Sequence, residues 1–153
     1  MYRCEDLYSR MCARANPVEG PVLTEMAGSL VLLPAERRFA TVEDIPRFIR
    51  SLRSGDGSLW PDSVPDVEVR RRRGATRAHW EAPATIAIPD EPEFRREHVV
   101  LHELAHHLDH HTRSQGAPPH GAPFRAWLLK LHGVAAGPVG AWALGVVFAE
   151  QLS

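Results

Sequence analysis

Residues 94–111 constrain the fold most strongly, because apolar side chains recur there at helical spacing. The stripe consists of Val100, Leu101, Leu104, Ala105 and Leu108. An acidic run at residues 90–93 precedes it, and acidic side chains favour the N-terminus of a helix. The pattern predicts a helix over residues 94–111, with one face in the core of the protein.

This helix carries the spacing of a zinc-binding motif, His102-Glu103-x-x-His106. Side chains four residues apart share a helical face, with Cβ atoms about 5–6 Å apart, so two imidazoles can reach one zinc ion. Glu103 lies roughly 100° further round the helix, where it can take a proton from a zinc-bound water. The motif predicts zinc (Zn²⁺) as cofactor, His102 and His106 as ligands, and Glu103 as catalytic base.

A catalytic zinc usually has three protein ligands and one open position. His120 is the best candidate for the third ligand. The loop before it contains Gly116 and Pro118, which can turn the chain back towards the motif helix. His120 also stands at the entrance of a further predicted helix, where flanking structure can hold a ligand rigidly.

Three other residues are candidates for accessory roles. Asp109 follows His106 by three residues and could hold a ligand imidazole in one tautomer, or simply face solvent. His132 and Arg125 could each stabilise an oxyanion, although the simpler interpretation of each is an ordinary helix-surface residue. The sequence does not choose between these alternatives.

The remaining histidines give no support to metal binding. Nine histidines occur in the chain, and eight of them lie between His98 and His132. Four are expected on the helix surface: His98, His107, His110 and His111. His79 belongs to a predicted strand.

The other segments complete an α+β class, with helices flanking a small antiparallel sheet. Helices are predicted at residues 2–15 and from residue 45, directly after a capping box at residues 41–44. A further helix is predicted from Phe124 to a stop at Gly133, and a last helix from about Pro138 onwards. Residues 17–28 read as loop and 29–33 as a strand. Residues 67–71 and 78–81 suggest a hairpin around Gly74, followed by a strand at 84–88. We expect one domain over residues 1–153.

The pattern His102-Glu103-x-x-His106, followed after thirteen residues by His120-Gly121-x-x-Phe124, resembles that of the SprT-like zinc metallopeptidases, which are zincins. The longer string from His102 to Asp109, together with His120-Gly121, is also similar to a family of small actinobacterial metallohydrolases whose substrate is not established. The resemblance covers about residues 84–130. It implies a zincin fold, bound zinc, ligands His102, His106 and His120, and Glu103 as base.

The expected reaction is hydrolysis of an amide, most simply a peptide bond in a peptide or protein substrate. The strand at residues 84–88 could form a sheet edge to which an extended peptide adds. A zincin that keeps zinc for structure alone is an alternative, although retention of Glu103 speaks against it.

A second alternative is nucleic-acid binding by the arginine run 70–73, with Arg77, His79 and Trp80 nearby. Charge balance weakens it, because residues 1–90 contain 13 arginines and 13 acidic residues. The net charge of −1 excludes a globally basic binder.

Compartment and membrane signals favour a cytoplasmic protein. No signal peptide is visible at the start of the sequence. Cys4 and Cys12, if helical, would lie roughly 12 Å apart, too far for a disulfide. Residues 131–149 lack charged side chains, but the Gly137-Pro138 interruption favours a buried C-terminal helix over a membrane span.

Overall fold

The computed structural model describes residues 8–11, 14, 20–55, 59–74, 77–113 and 116–152. Its elements are β1 (Val22–Met26), β2 (Ser29–Leu33), a short 3-10 helix (Val42–Asp44), α1 (Ile45–Ser54), β3 (Glu68–Arg72), β4 (His79–Glu81), β5 (Thr85–Pro89), α2 (Glu97–Thr112) and α3 (Ala122–Leu152). The predicted α+β class is confirmed.

The predicted N-terminal helix falls only partly within these residues. Residues 8–11 and residue 14 are helical, as predicted. The remainder of that helix, and both Cys4 and Cys12, lie outside the described residues.

Strand β5 is the centre of a three-stranded mixed sheet with the order β3-β5-β4. It pairs in parallel with β3, where Val69 lies opposite Ile86, and antiparallel with β4, where Trp80 lies opposite the same residue. The predicted 67–71/78–81 hairpin is therefore wrong, and so is the wholly antiparallel sheet. Because Ile86, Ala87 and Ile88 have no exposed surface, this strand takes the central position and the arginine-rich β3 lies at one side.

Residues 22–26 form a strand, so the predicted loop over residues 17–28 is wrong in its second half. β1 and β2 make an antiparallel hairpin in which Leu23 pairs with Leu32. Its turn residues Ala27 and Gly28 both have positive φ, 48° and 74°, the conformation of a type I′ hairpin turn. The predicted strand at residues 29–33 is confirmed.

Helix α1 follows from its capping signal. Both the backbone N–H and the hydroxyl of Thr41 donate to Asp44 Oδ2, at 3.0 and 2.9 Å. The predicted apolar face is buried: Ile45, Phe48, Ile49 and Leu52. This face belongs to a cluster of core side chains that also includes residues of α2 and α3.

Helix α3 continues through Gly133, so the predicted stop there is wrong. The break lies instead at Gly137, with φ 80° and ψ 179°, and helical geometry resumes at Pro138 as predicted. In the described part of the chain, α3 is the one helix long and apolar enough, by length and composition, to cross a membrane. Its side chains Phe124, Leu128, Leu131 and Leu144 are nevertheless completely buried within the protein.

Candidate metal centre

Helix α2 presents two imidazoles to the same point. His102 and His106 lie on one face of this 16-residue helix, with ring centroids 4.9 Å apart. Their Nε2 atoms approach to 3.2 Å. The apolar side chains Val100, Leu101, Leu104 and Leu108 have no exposed surface, so the core fixes the direction in which the two histidines point.

The third imidazole comes from the turn that enters α3. His120 Nε2 lies 3.4 Å from His102 Nε2. This position depends on unusual backbone, because His120 has φ 58°, in the left-handed region. Gly121 follows, and a Cβ there would lie 2.9 Å from the carbonyl oxygen of Pro118, so only glycine fits. Gly121 is thus a local requirement of this turn, and His120 occupies the position of positive φ before it.

The three imidazoles fit a metal ion by a simple geometric test. Two nitrogens bound tetrahedrally at about 2.0–2.1 Å from zinc lie about 3.3–3.4 Å apart. The separations of 3.2 and 3.4 Å on His102 Nε2 agree with that value. One imidazole nitrogen carries only one lone pair or one proton, so it cannot form hydrogen bonds with both of the other nitrogens, and a shared cation would fit between the three. Among the described residues, these three histidines form the group that could hold a metal ion.

Phe124 packs against all three imidazoles. Its ring centroid lies 5.2 Å from that of His102, 4.5 Å from His106 and 4.6 Å from His120. The side chain has no exposed surface. An apolar ring in this position restricts the rotamers of the three histidines and lowers the polarity around them, so it helps to hold their nitrogens in place.

The imidazole of His106 is held neutral, the form that binds a metal ion. Burial, together with the nearby His102, His120 and Arg113, lowers the pKa of His106 to about 3. At neutral pH the ring therefore carries a single proton, and its other nitrogen has a lone pair that a metal ion can accept.

Glu103 follows His102 on α2 and is buried, with 7% of its surface exposed. A helical step of roughly 100° turns its side chain away from the ligand direction while keeping it beside His102. Glu103 is thus a buried carboxyl group next in sequence to the first of the three imidazoles.

Asp109 and Arg125 lie close to the cluster. Asp109 is 3% exposed, and its Oδ2 is 3.6 Å from Arg113 Nη1. Burial is the main cause of its raised carboxyl pKa, opposed by Arg113 and His120. Arg125 Nη1 donates to the backbone oxygen of His120 at 3.4 Å, so this side chain braces the turn that carries the third imidazole.

The structure places His132 in a different group. Its Nε2 lies 3.1 Å from His98 Nδ1, and its Nδ1 lies 3.4 Å from the hydroxyl of Tyr8. His98 is four residues, one helical turn, before His102. The two imidazoles therefore form a polar contact between α2 and α3. Nothing in these contacts gives His132 an oxyanion role.

Two of the four histidines expected on the helix surface are buried instead. His98 is 4% exposed because it pairs with His132, and His107 has no exposed surface because its Nε2 contacts the oxygen of Pro65 at 2.8 Å. His110 is exposed as predicted, and His111 is only partly exposed. The helical stripe alone could not reveal these partners, which are 34 and 42 residues away in sequence.

Strand β5 cannot accept an added peptide strand in the way predicted from residues 84–88. Both of its hydrogen-bonding edges are occupied, one by β3 and the other by β4. This central position agrees with the burial of its apolar residues. Among the described strands of this sheet, β3 and β4 form the edges.

Comparison with known proteins adds no relative. No family model matches the sequence, and no curated protein or solved structure matches it either.

Proposed function

We propose that this protein is a zinc-dependent hydrolase of the zincin type, resembling the SprT-like metallopeptidases, which cleaves an amide bond in a peptide or protein substrate. The observation that carries the proposal is the convergence of three Nε2 atoms, from His102, His106 and His120, beside the buried Glu103. His102, His106 and His120 would hold the ion. When bound, zinc would lower the pKa of a coordinated water and polarise the substrate carbonyl.

The chain's own residues would supply the proton transfers and the support. Glu103 accepts a proton from the attacking water and returns it to the leaving nitrogen. Phe124 keeps the imidazoles in place and excludes water from one side of the site. Arg125, held against the oxygen of His120, fixes the turn that presents the third ligand.

The proposal separates metal binding from hydrolysis. His102→Ala and His120→Ala should lower the zinc content of the purified protein, since each removes one of three ligands. Glu103→Gln should retain zinc and lose hydrolysis, because the amide cannot accept the proton. A peptide-library cleavage screen with the zinc-loaded wild type and Glu103→Gln measures the second effect. Equal cleavage by both proteins would remove Glu103 from the mechanism.

A zincin that holds zinc only for structure is distinguished by the same pair of measurements. That alternative expects stoichiometric zinc, loss of stability on chelation, and no cleavage of any library peptide by the wild type.

Nucleic-acid binding finds less support in the arrangement of the arginine run. Arg70 forms an ion pair with Glu81, and Arg71 contacts both Glu43, at 2.7 Å, and Asp90, at 2.5 Å. Arg72 donates to the backbone oxygen of Arg77 at 2.7 Å. Guanidinium groups already engaged by acidic side chains offer little free charge to phosphates. We expect no salt-dependent DNA binding that is abolished by neutralising residues 70–73.

A further inference from the structure

The turn that carries the third imidazole needs support from its surroundings. The backbone N–H of Gly121 donates to the oxygen of Pro118 at 3.0 Å and closes a β-turn over residues 118–121. His120 is the third residue of this turn and has φ 58°, directly after Pro119. Proline followed by positive φ is the pattern of a type II turn, in which the third residue is usually glycine. A residue with a Cβ costs free energy in this conformation, so other contacts must hold the turn.

Arg113 supplies such a contact from the end of α2. The helix ends at Thr112, and the backbone N–H of Arg113 donates to the oxygen of Asp109 at 2.8 Å. The Nη1 atom of Arg113 donates to the backbone oxygen of Ala117 at 3.2 Å. Ala117 directly precedes the turn of residues 118–121. A side chain anchored on the motif helix therefore holds the chain just before the turn that presents His120.

The guanidinium group of Arg113 is itself held in place by Asp109. Its Nη1 lies 3.6 Å from Asp109 Oδ2, across one turn of the helix. The carboxylate side chain is only 4% exposed, and that of Arg113 is 30% exposed. A guanidinium group carries five N–H donors in a fixed plane, so it can serve the carboxylate and the oxygen of Ala117 together. The direction of the guanidinium is thus set by a buried partner.

The same pair limits the electrostatic effect of Arg113 on a bound cation. Burial is the main cause of the low pKa of His106, and the positive charge of Arg113 contributes to it. An isolated guanidinium group at this distance would also repel a metal ion. The carboxyl group of Asp109 compensates, because Arg113 favours its charged form and opposes the rise in its pKa that burial causes. The support of the turn should therefore outweigh the repulsion.

We infer that Arg113, anchored by Asp109, is a positioning residue for the third metal ligand, His120. It holds the segment of residues 117–120 from the side of α2, while Arg125 holds the oxygen of His120 from the side of α3. This inference rests on the proposed function, because it presupposes a metal ion on the three imidazoles. It also predicts selectivity among the ligands, since the buried apolar side chains of α2 orient His102 and His106 without Arg113.

Arg113→Gln tests this role by two measurements on the full chain. In a chelator competition at pH 7, the variant should bind zinc about tenfold more weakly than the wild type. At saturating zinc, long-range ¹H–¹⁵N NMR reports on each imidazole ring separately. We expect the ring signals of His102 and His106 to keep their wild-type positions. The ring signal of His120, identified by its loss in His120→Ala, should shift or broaden.

Two further variants serve as controls for charge and for substitution of an arginine. Arg113→Lys keeps the positive charge and an N–H donor, so its zinc affinity should lie within about threefold of the wild-type value. Arg47→Gln removes an exposed arginine on α1 and should leave both zinc affinity and the ring signals unchanged.

The outcomes separate this inference from the proposed function. Unchanged or tighter zinc binding by Arg113→Gln, in a wild type that binds zinc through His120, would overturn the positioning role alone. An equal change in the ring signals of all three histidines would do the same, because it would indicate a general loss of structure. A wild-type protein that binds no zinc would overturn the proposed function, and the inference with it.

Discussion

His132 should make the stability of the protein depend steeply on acid pH. The ring is 2% exposed, and burial lowers its pKa from 6.5 to about 3. The groups that face it are His98 on α2 and Tyr8, and the carboxyl groups of Glu36 and Glu97 line the same small pocket as the ring. An unfolded chain binds a proton at His132 near pH 6.5, and the folded chain does so only near pH 3.

The sign and size follow from this difference. Between these pH values the unfolded state binds more protons, so stability is complete above about pH 6.5 and is lost as the pH falls towards 3. Each pH unit contributes about 1.4 kcal/mol, so the interval from 6.5 to about 3 amounts to about 5 kcal/mol.

Urea denaturation with a chelator present measures this effect without a contribution from zinc. The free energy of unfolding of the wild type and His132→Gln is determined at several pH values from 4 to 6. We expect the pH slope of the variant to be smaller by about 1.4 kcal/mol per pH unit, whatever its stability at pH 7. Equal slopes for wild type and His132→Gln would refute the buried, neutral His132.

The remaining predictions concern the supports of the metal centre. Gly121→Ala should weaken zinc binding by about tenfold or more in a chelator competition. The reason is that a Cβ would lie 2.9 Å from the Pro118 oxygen and would displace His120. Unchanged zinc affinity would show that the turn adapts to the added Cβ. Phe124→Ala should lower the free energy of unfolding by about 3–5 kcal/mol, because it empties a completely buried site. The same variant should also weaken zinc binding. Phe124→Leu should have a smaller effect on both stability and zinc affinity. A stability loss for Phe124→Ala below about 1 kcal/mol would mean that the ring is not packed as described.

The sequence was informative where local rules decide the structure. Helix α2 carries both an apolar stripe and a metal-binding spacing, and the stripe alone orients His102 and His106 once it is buried. The capping pair Thr41 and Asp44 likewise locates the start of α1. In each case the determining contacts lie within a few residues of each other.

Those local rules could not predict which strands and side chains pair over long distances in the sequence. The order β3-β5-β4 depends on which strand gains most from burial on both sides, and adjacency in sequence favoured the wrong partners for residues 67–71. His98 and His132 are 34 residues apart, and their contact exists only because α2 and α3 pack together. A count of histidines could not separate this buried pair from the three that converge.

Zinc K-edge X-ray absorption of the purified, zinc-supplemented protein tests the central claim most directly. We expect one zinc per chain, with three imidazole nitrogens at about 2.0–2.1 Å and one exchangeable oxygen ligand. His120→Ala should lose one of the three imidazole contributions or the metal itself. A protein that binds no zinc under these conditions, or binds it without His102, His106 and His120, would contradict the account.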